Sequence, residues 1–326
     1  MKILITGGLG FIGSNLVNYL INKKNVKNIY IIDNLSKSNL DYLDSICSYK
    51  YFQNSKQYKP CRSRVVVINE DICNFNFAVS ISKNIDYIIH LAAESGIDIS
   101  VKNPKKSFDI NVSGTFNYLE AARINKIKKF IFASSGSVFG DIKSPISSTA
   151  PKNPISPYGS CKLTIESFCE TYSKVFNISA CVLRFSNAYG PYSLHKESIV
   201  SKFIKNVLSN KILVVNGNGH HTRDYLYVED LVHGIYKSMK LKSKFDTLNI
   251  STGVRTSINK LIAELSKQFE KKQISMTRTK YSSKRKGDIL HSSMSNSNTK
   301  NKIEWDIKHP LKRGLKKTVD WFLEKY

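Results

Sequence analysis

The stretch "ILITGGLGFIGSNLVNYLI", residues 3–21, decides how this chain folds. Ile3 to Thr6 is a short apolar run stopped by glycines, and beyond it the apolar residues fall at helical spacing as far as Ile21. The order is strand, tight turn, helix. Gly7, Gly10 and Gly13 sit in the turn, where the chain needs torsions that glycine adopts freely. The helix start supplies unpaired N–H groups and the positive end of a dipole, which together suit a pyrophosphate. Asp33 follows Gly13 by 20 residues and closes the next apolar run, "NIYIID". A carboxylate there hydrogen-bonds the adenosine ribose hydroxyls and repels a 2'-phosphate, so the pattern favours NAD over NADP. The plainer alternative makes the glycines ordinary turn formers and Asp33 a loop residue.

Further out, "RVVVI" precedes Glu70-Asp71, "IDYIIHLAA" ends at Ala93, and "KKFIFASS" and "ISACVLRFS" flank a helical stretch from Tyr158 to Phe176. Apolar strands of this kind, alternating with helices, read as a doubly wound parallel α/β sheet of the Rossmann type. Asp71, just past the third strand, suits an adenine-edge contact or a helix cap. Ser36 to Ser63 is polar and reads as a helix and a loop. After Arg184 the composition turns to Gly, Asn, Pro and aromatic residues, with helical segments near Ser257–Phe269 and Leu311–Leu323. The expected division is therefore 1–185 for a dinucleotide-binding domain and 186–326 for a smaller C-terminal α/β lobe that binds substrate. Residues 225–250 are left open to return to the first domain.

The chain has 326 residues and 41% hydrophobic content, enough for a sizeable core. Its formal charge of +25 would suit a polyanion-binding protein, but the lysines run from Lys2 to Lys325 with no basic tail, which fits a solvated surface better. The six cysteines show no metal or redox spacing and read as reduced thiols. No apolar run approaches the roughly 20 residues of a membrane span, and the N-terminus lacks a signal-peptide layout. The expectation is a cytoplasmic protein with no metal and with no nucleic acid or membrane partner.

"SPYGSCK" places Tyr158 and Lys162 four residues apart, on one face of a helix. A phenol titrates near 10, so Tyr158 serves as a base at neutral pH only if cations stabilise its phenolate. Lys162 and a nicotinamide cation are suitable. Alone the pair is commonplace; beside a dinucleotide turn it becomes a reaction centre.

With these motifs, together with "DNL" at 33–35, "HLAAES" at 90–95, "NVSGTFNYLEAA" at 111–122, "FASSGSVFG" at 132–140, "LRFSNAYGP" at 183–191, "RDYLYVEDL" at 223–231 and "RKGD" at 285–288, the chain resembles the extended short-chain dehydrogenase/reductase family of nucleotide-sugar epimerases and dehydratases. The resemblance runs over nearly the whole length. It implies NAD as cofactor, bound with help from Phe11, Ile12, Asn34, Ile72, Leu91, Ala92 and Ala93, and a homodimer built on helices of the first domain. It makes Tyr158 the base, Lys162 its activator, Ser135 the partner of the reacting hydroxyl, and Asn111 a residue that supports the site. Asn187, Arg223 and Arg285 fall on the residues that grip a UDP diphosphate, which a planar guanidinium does with two bonds at once. Arg223 has an alternative use in an ion pair with Asp224 or Asp230.

Within the family, the 4,6-dehydratases resemble "STDEVYG" where this chain has Ser135-Gly136-Ser137. Neither carboxyl group needed for water loss is present, and Ser137, taken as a substrate contact, also counts against decarboxylation. Glu94 in "HLAAES" leans the other way. Ser292, seven residues past Arg285, resembles the position where a Tyr closes the pocket of UDP-hexose 4-epimerases to a 2-acetamido group; a slip of one residue would put His291 or Ser293 there. The leading expectation is an NAD-dependent UDP-hexose 4-epimerase handling UDP-GlcNAc and UDP-GalNAc, and UDP-glucose and UDP-galactose, through a transient 4-keto sugar. The alternatives are a UDP-glucuronate 4-epimerase, another nucleotide-sugar reductase or dehydratase, and a non-catalytic dinucleotide sensor.

Overall fold

The structure, a computed structural model, describes residues 1–283 and 289–326. Its first unit comprises residues 1–141, 150–185 and 232–248. The strands are β1 (Lys2–Thr6), β2 (Asn28–Asp33), β3 (Lys50–Phe52), β4 (Val65–Asn69), β5 (Tyr87–His90), β6 (Lys129–Ser135) and β7 (Ala180–Phe185). Between them run helices α1 (Phe11–Ile21), α2 (Asp41–Asp44), α3 (Phe75–Ile81), α4 (Ile97–Lys102), α5 (Pro104–Phe108), α6 (Thr115–Ile124) and α7 (Pro157–Phe176). A π-helical turn, Asp109–Gly114, joins α5 to α6.

The sheet has eight strands, in the order Phe245–Ile250, β7, β6, β5, β1, β2, β4, β3. Every pairing from β3 through to β7 is parallel. The order runs outward in opposite directions from β1, through β2 on one side and β5 on the other. This is the switch point at which open α/β sheets bind ligands at the carboxyl ends of their strands. Leu4, Ile32, Val66, Ile88, Phe130 and Val182 are fully buried, and Leu119 and Ile165 of the covering helices join their cluster. Each such side chain contributes about 1.5–3 kcal/mol by leaving water.

Two segments depart from a division at residue 185. Residues 142–149 group with the second unit, where Ile146 bridges Met294 and its carbonyl accepts from Asn249. Residues 232–248 group with the first, because Phe245–Ile250 lies against β7 in its sheet. Residues 225–231 stay with the second unit, so the return is narrower than 225–250. The polar stretch 36–63 holds a strand besides the expected helix and loop. After the helical turn α2 comes β3, which extends the sheet edge by pairing with Val66–Ile68, and then a 3-10 turn, Ser55–Gln57. The three half-exposed residues of β3 are too few for a period of two to show in the sequence.

The second unit comprises residues 142–149, 186–231 and 249–326. Its strands are short: Asn187–Tyr189 beside Tyr225–Tyr227, Thr222–Arg223 beside Thr256–Ser257, and Leu213–Asn216 beside Thr279–Ser282. Helices Ile199–Leu208, Ile258–Glu270 and Leu311–Lys325 enclose a core containing Phe203, Leu261, Leu265, Leu315 and Phe322. Among the described residues no helix is long and apolar enough to cross a membrane.

Candidate active site

The glycine turn is held by its own backbone. Gly7 has φ +68°, and a Cβ there would stand 2.7 Å from the Ala92 nitrogen. A Cβ on Gly13 would lie 2.4 Å from the Gly7 carbonyl oxygen, so α1 packs directly onto the turn only because Gly13 has none. Gly10 differs: a Cβ would touch only the Gly7 oxygen, at 3.4 Å, and otherwise enter open space. Gly10 starts α1 with no side-chain cap and no acid follows in the first turn, so the N–H groups at Phe11, Ile12 and Gly13 meet neither a capping side chain nor a first-turn acid. Phe11 is buried while Ile12 is half-buried. An open cradle at the positive end of an 11-residue helix fits a dinucleotide pyrophosphate.

Asp33, 8% exposed, ties this turn to the end of β2. Its carboxylate accepts from the Leu9 N–H at 3.0 Å, the Leu35 N–H at 3.1 Å and the Ser38 hydroxyl at 2.9 Å. Burial pushes its pKa up, against these three bonds. A carboxylate has about four acceptor sites, so one remains for a ribose hydroxyl. Asn34 donates to Asp71 at 2.9 Å, and Asp71 also accepts from the Cys73 N–H at 2.8 Å. Burial works against the ionised Asp71, but the bonds from Cys73 and Asn34 outweigh it and leave its pKa lowered. Leu91, Ala92 and Ala93 are half-buried at the end of β5, with Ala92 against Gly7. Ile72 is drawn the other way: its side chain joins the core and its carbonyl accepts from Asn117, which leaves only its N–H as a candidate contact.

Ser135 ends β6, and Tyr158 and Lys162 lie on the first turns of α7. Pro157 opens this helix, and the Ser156 hydroxyl caps it by accepting from the Gly159 N–H at 3.1 Å. Burial pushes the Tyr158 phenol up to about 12, while a hydrogen bond with Ser135 pulls it down. Lys162 is 2% exposed and donates to the Ala133 carbonyl at 2.8 Å, with its Nζ 5.7 Å from the centre of the Tyr158 ring. Burial lowers its pKa to about 8, opposed by Cys161 and Glu166. The Ser137 hydroxyl is buried without a hydrogen-bond partner among the described residues. Asn111, fully buried in the π-helical turn, acts on a loop: its amide donates to the Glu94 carbonyl and accepts from the Glu94 N–H, each at 3.0 Å.

Two features escaped the sequence reading. A Cβ on Gly159 would stand 2.6 Å from the Ser137 carbonyl, so this glycine lets α7 bring Tyr158 up to Ser135; the signal was the Gly in "SPYGSCK". Behind the pair lies a buried ion pair. Arg184 on β7 meets Glu166 with bonds of 2.9 and 2.6 Å, and Glu166 also accepts from Ser134 at 2.5 Å. Glu166 follows Lys162 by four residues, on the Tyr158–Lys162 face, and Arg184 stands out in an apolar strand.

In the second unit, the Arg223 guanidinium donates from one nitrogen to the carbonyls of Thr222 at 2.9 Å and Ile289 at 2.8 Å. The Ser292 N–H donates to the same Thr222 carbonyl, so Ser292 and Arg223 are neighbours. Of the neighbouring positions, His291 bonds to the Thr222 hydroxyl and Ser293 is 1% exposed, which leaves Ser292 as the half-buried residue between them. Asn187 is exposed and bonds through its N–H to the Asp224 carbonyl at 2.9 Å. The Asp224 carboxylate accepts from Thr252 and Gly253, and that of Asp230 from His309. Arg285 lies outside the described residues.

The chain is similar over nearly its whole length to known nucleotide-sugar epimerases and dehydratases. The family model described as GDP-mannose 4,6 dehydratase matches residues 4–318. A putative UDP-glucose 4-epimerase of Methanocaldococcus jannaschii is 32% identical over 324 residues, covering 98% of this chain and 97% of that protein. The UDP-N-acetylglucosamine 4-epimerase of Methanobrevibacter ruminantium, solved with UDP-N-acetylmuramic acid, superposes with a TM-score of 0.87 at 28% identity over 100% of this chain and 99% of its own. The UDP-glucuronic acid 4-epimerase of Bacillus cereus, solved with UDP-glucuronic acid and NAD, gives 0.87 at 28% identity, with both chains fully covered.

Proposed function

Because this chain belongs to the NAD-dependent nucleotide-sugar epimerases and dehydratases of the extended short-chain dehydrogenase/reductase family, a family of enzymes, we propose that it is a redox-neutral 4-epimerase of a UDP-hexose, with UDP-GlcNAc and UDP-GalNAc as its preferred pair and UDP-glucose and UDP-galactose also accepted. The observation that carries this reading is the end of β6. Ser135 and Tyr158 meet there, and Gly136 and Ser137 stand where dehydration would need carboxyl groups. The two nearby buried carboxylates are already committed to cations: Glu94 to Lys37 and Lys106, and Glu166 to Arg184.

Bound NAD supplies a hydride acceptor that later returns the hydride. The protein's own part is proton transfer and orientation. Ser135 orders the reacting C4 hydroxyl against Tyr158, and the phenolate oxygen takes its proton. A phenol held near 12 is a poor base at neutral pH, so the Lys162 charge is required to stabilise the anion. Glu166 and Arg184 fix the floor of the site through Ser134. Asn187, Arg223 and Arg285 hold the diphosphate, and the small Ser292 leaves room for a 2-acetamido group.

A second reading, UDP-glucuronate 4-epimerase, is favoured by the unpartnered Ser137 hydroxyl, a suitable donor to a C6 carboxylate. A panel of UDP-sugars incubated with the purified protein separates the two. Interconversion of UDP-GlcNAc and UDP-GalNAc without net NADH supports the first, and turnover of UDP-glucuronate alone supports the second. No product from any UDP-hexose or UDP-hexuronate overturns both. The working form is a homodimer in the cytoplasm: α4, α5 and α7 expose Ile97, Val101, Phe108, Phe168 and Val175, an apolar surface suited to a second copy.

A further inference from the structure

β2 and β5 are the two neighbours of β1, so the loops leaving their carboxyl ends flank the glycine turn on opposite sides. One ion pair joins these loops. Lys37, four residues past the end of β2, meets Glu94, four residues past the end of β5. The Glu94 end is anchored. Its other carboxylate oxygen lies 3.3 Å from Lys106 on α5, and Asn111 holds its backbone from both sides. Glu94 is 5% exposed, whereas Lys37 is 48% exposed. The bridge therefore has one anchored, buried end and one half-exposed end. It crosses the end of β1, where Gly10 leaves the cradle open and Asp33 waits at the other side of the turn.

We propose that the Lys37–Glu94 bridge is a strap over bound NAD, with Lys106 and Asn111 holding its Glu94 end, and that it slows the cofactor's release. The strap depends on NAD binding alone. Its value to the cycle rests on the epimerase reading, because a reaction that borrows and returns one hydride stalls if the cofactor leaves midway. A charge pair whose one partner is buried acts on dissociation, and with the other partner half exposed it changes the rate by about 2- to 5-fold.

The test follows NADH fluorescence after the NADH-loaded full chain is mixed with excess NAD, with no sugar present. Lys37→Met is expected to release NADH about 2- to 5-fold faster, and Lys37→Arg to match wild type closely. Raising the salt is expected to speed release from wild type and leave Lys37→Met nearly unchanged. The thermal midpoint of each cofactor-free protein is measured alongside, and Lys37→Arg, which keeps the charge on Glu94, separates a loss of the bridge from a loss of folding. A wild-type release rate in Lys37→Met, or an equal salt response in both proteins, overturns the strap. Without sugar, failure of the epimerase reading leaves these rates unaffected.

Discussion

In the first unit the turn proposed to hold the cofactor is a backbone construction: Gly7 at φ +68°, Gly13 pressed on the Gly7 carbonyl, and an uncapped helix start, with Asp33 bracing the turn through the Leu9 N–H. In the second unit the residues assigned to substrate are single side chains on minimal supports. Arg223 lies on a strand of two residues, and Ser292 is joined to the Thr222 carbonyl of that strand by its N–H. At Gly7 and Gly13 the first region leaves no room for an added atom, whereas in the second the proposed contacts are side chains whose replacement would change what is accepted. Chemistry and cofactor should therefore fail abruptly on mutation, and sugar preference should shift by degrees.

The largest effect is expected at the reaction centre. Tyr158→Phe should lower kcat by about 10²–10⁴ while NAD still binds, measured by turnover and by cofactor retained on gel filtration. Gly13→Ala should shift backbone at a cost of about 1–3 kcal/mol, read by calorimetry as roughly 10- to 100-fold weaker NAD binding. Unchanged affinity there would remove the distinction between the two regions. Arg223→Lys replaces a fork with a point charge and should raise KM for the UDP-sugar about tenfold, with NAD binding unaltered. Ser292→Tyr should reduce kcat/KM for UDP-GlcNAc relative to UDP-glucose by about tenfold, a change in ratio rather than a loss.

A further effect is one of stability, and its sign is opposite to that of the others. Burial holds Lys162 near 8, below its unfolded value, so below about pH 8 the folded chain carries a buried charge at a cost the unfolded chain does not bear. The contribution of Lys162 to stability should therefore rise as pH goes from about 8 to about 10.5, and it is read as the difference between wild type and Lys162→Met, because buried thiols and phenols with raised pKa values act the other way over the same range. Lys162→Met removes that penalty. It should unfold at a higher temperature than wild type at pH 7, with a gap that closes towards pH 10.5, although it turns over poorly.

The same contrast explains what the sequence showed. The strand–turn–helix of residues 3–21 and the apolar strands that follow are periodic, so the Rossmann sheet and its glycine turn were legible. Tyr158 and Lys162 share a helix face and were legible as a pair. β3 was too short to have a period, and residues 142–149 and 232–248 joined units through long-range contacts that local patterns do not carry. Glu166 and Arg184 went unnoticed because a buried ion pair joins residues 18 apart with no local rule to link them. The Lys37–Glu94 bridge spans 57 residues and is visible only once β1 is known to lie between β2 and β5.

The central claim is that Tyr158 and Ser135 serve a cycle in which a hydride leaves C4 and returns to it, with no water lost. One measurement tests this directly: UDP-GlcNAc incubated with the NAD-loaded enzyme in deuterium oxide, with the product resolved by chromatography and mass spectrometry. UDP-GalNAc of unchanged mass is expected, with no deuterium on carbon and no accumulated NADH. A product lighter by one water, or carrying carbon-bound deuterium from solvent, would contradict it.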